Sequence, residues 1–134
     1  MSQKTRLMER NDSEALYVMD TWSDENYIYF SWEVLYKKGH VDIITEQPIK
    51  RLPEIVAKQT FWSRLRPGLV SELREGLAKA GMPDAEIEFT EWDIKLSNSL
   101  KTGKGVGKFF SAVSYDALFW TAVGFTATAR IKRQ

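Results

Sequence analysis

The 134-residue sequence predicts an α+β domain, built as an antiparallel β-sheet of about five to six strands with two central helices packed on one face. Several segments alternate apolar and polar residues with the period of two that is typical of strands. One central segment instead spaces its leucines four residues apart, as on a helix. The predicted element order is ββ(β)-αα-βββ. Residues 1–13 are polar and predict a flexible arm, so the domain itself spans residues 14–134.

The strongest strand signal is YIYFSWEVLY, residues 27–36, which follows a shorter predicted strand over residues 15–22. Period two places an apolar set on one face of this strand: Ile28, Phe30, Trp32, Val34 and Tyr36. The opposite face is mixed and consists of Tyr27, Tyr29, Ser31, Glu33 and Leu35. Gly39 predicts a tight turn into a partner strand at residues 41–45.

Two helices are predicted in the middle of the chain. The first begins near Pro53, a residue suited to the first turn of a helix, and runs to about Gln59. Because Pro67 would break a long helix, a second helix is predicted from Arg64 to Ala80, with Ser63 as its N-cap. Its apolar ridge consists of Leu65, Leu69, Leu73 and Leu77. The end of this helix is predicted at Gly81.

Residues 85–97 predict a further strand that contains a change of phase. Ile87 and Phe89 share one parity, whereas Trp92, Ile94 and Leu96 share the other. One face can bury both sets only if an extra residue lies between them, so a β-bulge is predicted at Thr90–Glu91. The alternative is a strand buried on both faces, or one with a face in the core and a face at an interface.

The last segment of the chain predicts a terminal strand from about residue 121, with residues 107–115 as its hairpin partner. A helix over residues 109–120 is the alternative. Residues 109–129 carry a single charge, Asp116, which raises the question of a membrane-spanning helix. The central aspartate, the Ser and Thr content and Gly124 argue against insertion, so no membrane insertion is predicted.

Composition excludes several kinds of chemistry. The absence of cysteine excludes disulfides, thiolate metal sites and cysteine nucleophiles. Together with a polar N-terminal segment, it favours a cytoplasmic protein. The single histidine, His40, is predicted to be a solvated turn residue. No metal, cofactor or catalytic residue is predicted, and a protein that is not an enzyme is favoured. The third hypothesis is a small hydrolase that uses Glu91, Asp93 and His40.

The glycine- and lysine-rich stretch LKTGKGVGKFF, residues 100–110, does not match a phosphate-binding loop. The Gly–Lys spacing is one residue short, and Phe109 lies where a metal-binding hydroxyl belongs. We expect a connector between strands, and whether it contacts a ligand stays open. Residues 101–134 hold six Lys and Arg against one acidic residue, so single-stranded nucleic acid is the alternative ligand. The candidate residues are Lys101, Lys104, Lys108, Arg130, Lys132 and Arg133.

The leading hypothesis is a small protein-interaction module, either an oligomeric structural or accessory subunit or an inhibitor or immunity-type protein. Its basis is the aromatic content of 13%, together with strands that carry apolar residues on both faces. Aromatic side chains inside a charged rim are typical of protein-binding surfaces. The candidate interface residues are Tyr27, Tyr29, Glu33, Leu35 and Trp92. The partner is therefore expected to be another protein or a second copy of the chain.

Overall fold

The computed structural model describes residues 3–37, 49–50, 53–97 and 119–133. Their elements follow in chain order as β1 Thr5–Asn11, β2 Ala15–Ser23, β3 Tyr27–Tyr36, β4 Ile49–Lys50, α1 Glu54–Lys79, β5 Glu88–Ser97 and β6 Phe119–Lys132. The five long strands form one antiparallel sheet in the order β1-β2-β3-β6-β5, and the two residues of β4 pair with the start of β6. The predicted antiparallel sheet is confirmed, but the two predicted helices are not.

A single helix, α1, runs through the proline that was predicted to separate two helices. Pro67 removes the hydrogen bond to the carbonyl of Ser63. Both residues lie on the exposed side of α1, where water can satisfy that carbonyl. The buried side is continuous across this point, with Ala57, Phe61 and Trp62 preceding the four leucines of the predicted ridge. Packing of this side against the sheet therefore outweighs one lost backbone bond.

The C-terminal end of α1 is confirmed at Gly81, which has a φ of 83°. Its N–H bonds to the carbonyl of Ala78, and the next N–H, of Met82, bonds to the carbonyl of Leu77. This pair of bonds is a Schellman motif, which requires a left-handed residue that glycine adopts without steric cost. The chain then turns towards β5.

Residues 5–11 form strand β1, although the sequence predicted a flexible arm over residues 1–13. All seven residues are exposed, so no apolar periodicity marks this strand in the sequence. Backbone pairing with β2 holds it in place, with Thr5 opposite Thr21 and Asn11 opposite Leu16. The predicted partner strands at residues 41–45 and 107–115 lie outside the described residues, as does most of residues 109–120. Within the described part, the neighbours of β6 are β3 and β5, with β4 paired to its first residues.

The predicted β-bulge in β5 is confirmed. Phe89 pairs with Ala129 and Glu91 with Thr128, so Thr90 is the extra residue. The bulge brings all five apolar residues of the segment to the core: Ile87, Phe89, Trp92, Ile94 and Leu96. A second register shift makes Val123 the extra residue of β6. Through it, both Ala122 and Phe125 become buried.

The hydrophobic core lies between α1 and one face of the sheet. Trp62 of α1 stacks on Trp92 of β5, with ring centroids 5.0 Å apart and an interplanar angle of 3°. Trp62 also forms a T-shaped contact with Phe89, with ring centroids 5.1 Å apart. Trp32 and Ile131 are fully buried on the same face. No described helix is both long and apolar enough to cross a membrane.

Candidate functional site

The face of the sheet turned away from α1 carries no covering layer within the described residues. We call it the open face. Strand register assigns these side chains to it: Leu16, Val18, Asp20 and Trp22 of β2; Tyr27, Tyr29, Ser31, Glu33 and Leu35 of β3; Thr126, Thr128, Arg130 and Lys132 of β6; and Glu88, Glu91, Asp93 and Lys95 of β5. The face divides into an aromatic end, an acidic middle and an apolar end.

The aromatic end is a row of side chains that are direct cross-strand neighbours. Trp22 lies opposite Tyr29, and their rings stack 5.4 Å apart at 7°. Tyr29 lies opposite Arg130, whose guanidinium is 3.9 Å from the ring centroid of Tyr27 and donates to Glu88 at 2.9 Å. The Lys4 ammonium covers Trp22 at 4.6 Å. Cation–π and stacking contacts therefore occupy much of the ring surface at this end.

Asp24 in the β2–β3 turn fixes the position of this aromatic row. Its carboxylate accepts the backbone N–H groups of Asn26 and Tyr27, both at 2.8 Å, and the hydroxyl of Tyr29 at 2.9 Å. These hydrogen bonds, the backbone ones first, lower the pKa of Asp24 below its usual value. Its carbonyl also accepts the Arg133 side chain. One turn residue thus links β2, β3 and the residue that follows β6.

The acidic middle of the open face is a concavity of about 270 Å³. Ser31, Thr126 and Thr128 are small, adjacent residues of β3 and β6, and they leave space between longer neighbours. Four carboxylates and one ammonium line the concavity: Asp20, Glu33, Glu91, Asp93 and Lys4. The excess of negative charge makes this part of the surface attractive to cations.

Two of the four carboxylates are already paired. Asp20 accepts Arg6 at 2.7 Å, and Asp93 accepts Lys58 of α1 at 2.9 Å. Glu33 and Glu91 are exposed and have no ion pair with any described residue. They flank β6 from opposite sides, on β3 and β5. The concavity therefore keeps two carboxylates that no described residue neutralises.

The apolar end is formed by Leu16 and Leu35, which lie opposite each other and are 37% and 45% exposed. Gly124 lies opposite Leu35 on the next strand. A Cβ at position 124 would lie 2.5 Å from the carbonyl oxygen of Val34. Glycine is therefore required for the close approach of β6 to β3 beside this leucine pair.

The structure places four of the five predicted interface residues on one face of the sheet. Tyr27, Tyr29, Glu33 and Leu35 lie along β3 on the open face. Trp92 lies on the opposite face, stacked on Trp62, because the Thr90 bulge reverses the phase of β5. The sequence-based prediction did not include Trp22, Asp20 or Leu16, because the face of the sheet on which they lie depends on the pairing of β2 with β3. Alternation within residues 15–22 is the signal that could have placed them.

The predicted nucleic-acid residues are only partly described. Lys101, Lys104 and Lys108 lie outside the described residues, as does His40. Arg130 contacts Glu88 and Tyr27, and Arg133 contacts the Asp24 carbonyl. Lys132 is exposed at the same end, beside a wide concavity of about 710 Å³ that Tyr27 and Arg133 also line.

No known protein family, curated protein or solved structure matches this chain. Among the described residues, no group of three or more His, Cys, Asp and Glu side chains could hold a metal ion. Glu91 and Asp93 of the third hypothesis are exposed neighbours on β5, and Asp93 is paired with Lys58. The open face is therefore the feature on which a function can be argued.

Proposed function

We propose that the protein is a cytoplasmic protein-interaction module that binds its partner through the open face. The observation that carries this proposal is a sheet face with stacked aromatic rings at one end, exposed leucines at the other and no described layer above it. Apolar side chains on a sheet face are normally buried against another layer. Exposed aromatic and apolar side chains beside charged residues are typical of protein-binding surfaces.

The distribution of charge favours a protein over a nucleic acid as the partner. Phosphates bind to surfaces with a continuous basic stripe, whereas the middle of the open face holds four carboxylates and one ammonium. Base stacking requires free ring faces. Here Trp22 is stacked on Tyr29 and covered by Lys4, and Arg130 covers Tyr27.

A substitution at Leu35 tests the proposal, with Ile55 as the matched control. Leu35 is 45% exposed on the open face, and Ile55 is 61% exposed on α1. We expect Leu35→Glu to abolish capture of the partner from a lysate of the source cells, because it places a charge in the apolar end. Ile55→Glu should leave capture unchanged. Quantitative mass spectrometry of proteins retained on each immobilised variant makes the comparison, after unfolding curves have shown that both variants fold.

Two results would contradict a role for the open face. Retention of the same proteins by wild type and Leu35→Glu would exclude Leu35 from the interface. Equal loss with Ile55→Glu would show a general effect of added charge. Light scattering on the wild type decides between a separate partner and the oligomeric alternative, because a stable dimer doubles the mass.

Single-stranded nucleic-acid binding is the second candidate, and the specific observation in its favour is the basic end of the open face. Arg130, Lys132 and Arg133 lie there beside Tyr27. If they bind phosphates together with Lys101, Lys104 and Lys108, Lys132→Glu with Arg133→Glu should weaken binding at least about tenfold at low salt. Filter binding to a mixed oligonucleotide at two salt concentrations measures this. An unchanged affinity in the double variant, or no binding at low salt, would reject this function.

A further inference from the structure

We propose that the partner presents a cationic segment to the open face, with lysine or arginine side chains in the acidic concavity and an apolar side chain on the leucine pair. This inference rests on the proposed function and specifies the chemistry of the partner. Its basis is the order of side chains along β3, where Glu33 and Leu35 project from the same face. Two residues of a strand span about 7 Å, so an extended segment matches them with a cation and an apolar residue two positions apart.

The two unpaired carboxylates give the strongest reason for a cationic partner. Glu33 and Glu91 are exposed and have no ion pair within the described part of the chain. A protein that covered them without supplying a cation would leave buried, unpaired charges, which is strongly unfavourable. An acidic or purely apolar partner is therefore disfavoured at this position. A lysine or arginine side chain removes the penalty and adds a charge-assisted hydrogen bond.

A second copy of the chain fits this surface poorly. In a two-fold symmetric dimer centred on the open face, each acidic concavity would lie against its own copy. Glu33 and Glu91, which no described cation neutralises, would then lie against the same two carboxylates of the copy. Like-charge juxtaposition across an interface is destabilising, so the charges of the open face favour a different protein.

A random peptide library supplies the probe, because it imposes no choice of sequence. Peptides of about 12 residues, displayed on phage, can cross the sheet when extended. They are selected on wild type and counter-selected on Leu35→Ser, a neutral change that removes the apolar side chain, so that only binders of the open face remain. We expect the survivors to be enriched in Lys or Arg two positions from an apolar residue. Their affinity should fall at least about tenfold in the double variant Glu33→Lys with Glu91→Lys, and should weaken as salt rises.

The control double variant is Glu14→Lys with Glu75→Lys. It changes the net charge equally, at exposed positions in the β1–β2 turn and on α1. We expect it to bind the selected peptides within about twofold of wild type. An equal loss in both double variants would show a non-specific charge effect and overturn the inference.

The outcomes distinguish failure of the cationic-partner inference from failure of the proposed function. Peptides that depend on Leu35 but lack Lys and Arg, or bind the Glu33/Glu91 variant normally, overturn the cationic partner and keep the open face as a binding site. No Leu35-dependent peptide at all contradicts the open face itself. A concentration-dependent dimer that Glu33→Lys with Glu91→Lys strengthens would assign the face to a second copy. Tighter peptide binding after Lys101, Lys104 and Lys108 are changed to Ser would indicate that these lysines of the same chain occupy the open face. Either this result or the strengthened dimer would overturn the inference.

Discussion

Tyr17 shows how one residue couples the sheet to the helix. It lies on β2, and its hydroxyl donates to Glu72 of α1 at 2.7 Å. It also lines a groove of about 280 Å³ between α1 and the sheet, with the Arg10 guanidinium 5.6 Å from its ring centroid. Burial, followed by the bond to Glu72, raises the pKa of Tyr17 above its ordinary value. The protonated form is therefore favoured in the folded state.

This shift predicts a loss of stability in alkali. Once the pH exceeds about 10, an unfolded Tyr17 releases its proton while the folded one retains it. The free energy of unfolding should then fall as pH rises, and Tyr17→Phe should make that fall shallower. Urea unfolding of both proteins near neutral pH and above pH 10 measures the difference. Parallel curves for wild type and Tyr17→Phe would show that Tyr17 makes no contribution.

Glycine has opposite roles in two elements, and this gives a paired prediction. At Gly124 in β6, a Cβ would meet the backbone carbonyl of Val34 at 2.5 Å, so Gly124→Ala should cost about 1–3 kcal/mol. At Gly76 in α1, a Cβ would have no neighbour within 4 Å. Gly76→Ala should therefore stabilise the protein by about 0.5–1 kcal/mol, because alanine favours the helix.

Denaturant midpoints of the two single variants and the double variant test this pair. The sites have no shared neighbours in the structure, so their effects should add within about 0.5 kcal/mol. A neutral Gly124→Ala would mean that β6 can move away from β3 without loss, and would remove the steric reason for glycine there.

The elements that the sequence predicted well are those whose pattern is local. Alternation alone assigned both faces of β3, and a phase defect located the bulge at Thr90. The predictions for β1 and α1 were wrong because the interactions that form these two elements are not local in the sequence. No apolar pattern marks β1, which is held by backbone pairing with β2. α1 continues through Pro67 because its buried side packs against the sheet. The sequence of the helix alone does not reveal that contact.

At the scale of the whole molecule, the candidate site was predictable only in part. The candidate interface residues on β3 were predicted because alternate residues of a single strand lie on the same face. The acidic concavity needs four strands side by side, since Asp20 lies on β2 and Glu33 and Glu91 flank β6 from opposite sides. Period-two reasoning gives the face of a residue within its own strand, but not which strand lies next to it. Trp92 lies on the core side because the bulge at Thr90 changes the phase of β5, which alternation along an uninterrupted strand does not show.

The central position of β6 has a consequence for how the chain is made. β6 pairs with β3 on one side and β5 on the other, yet it follows every other described element along the chain. During synthesis on the ribosome, β3 and β5 therefore emerge before β6, the strand that pairs with one edge of each. Pairings of such high sequence separation slow folding. Strand edges that are exposed at that stage also favour aggregation until β6 has emerged.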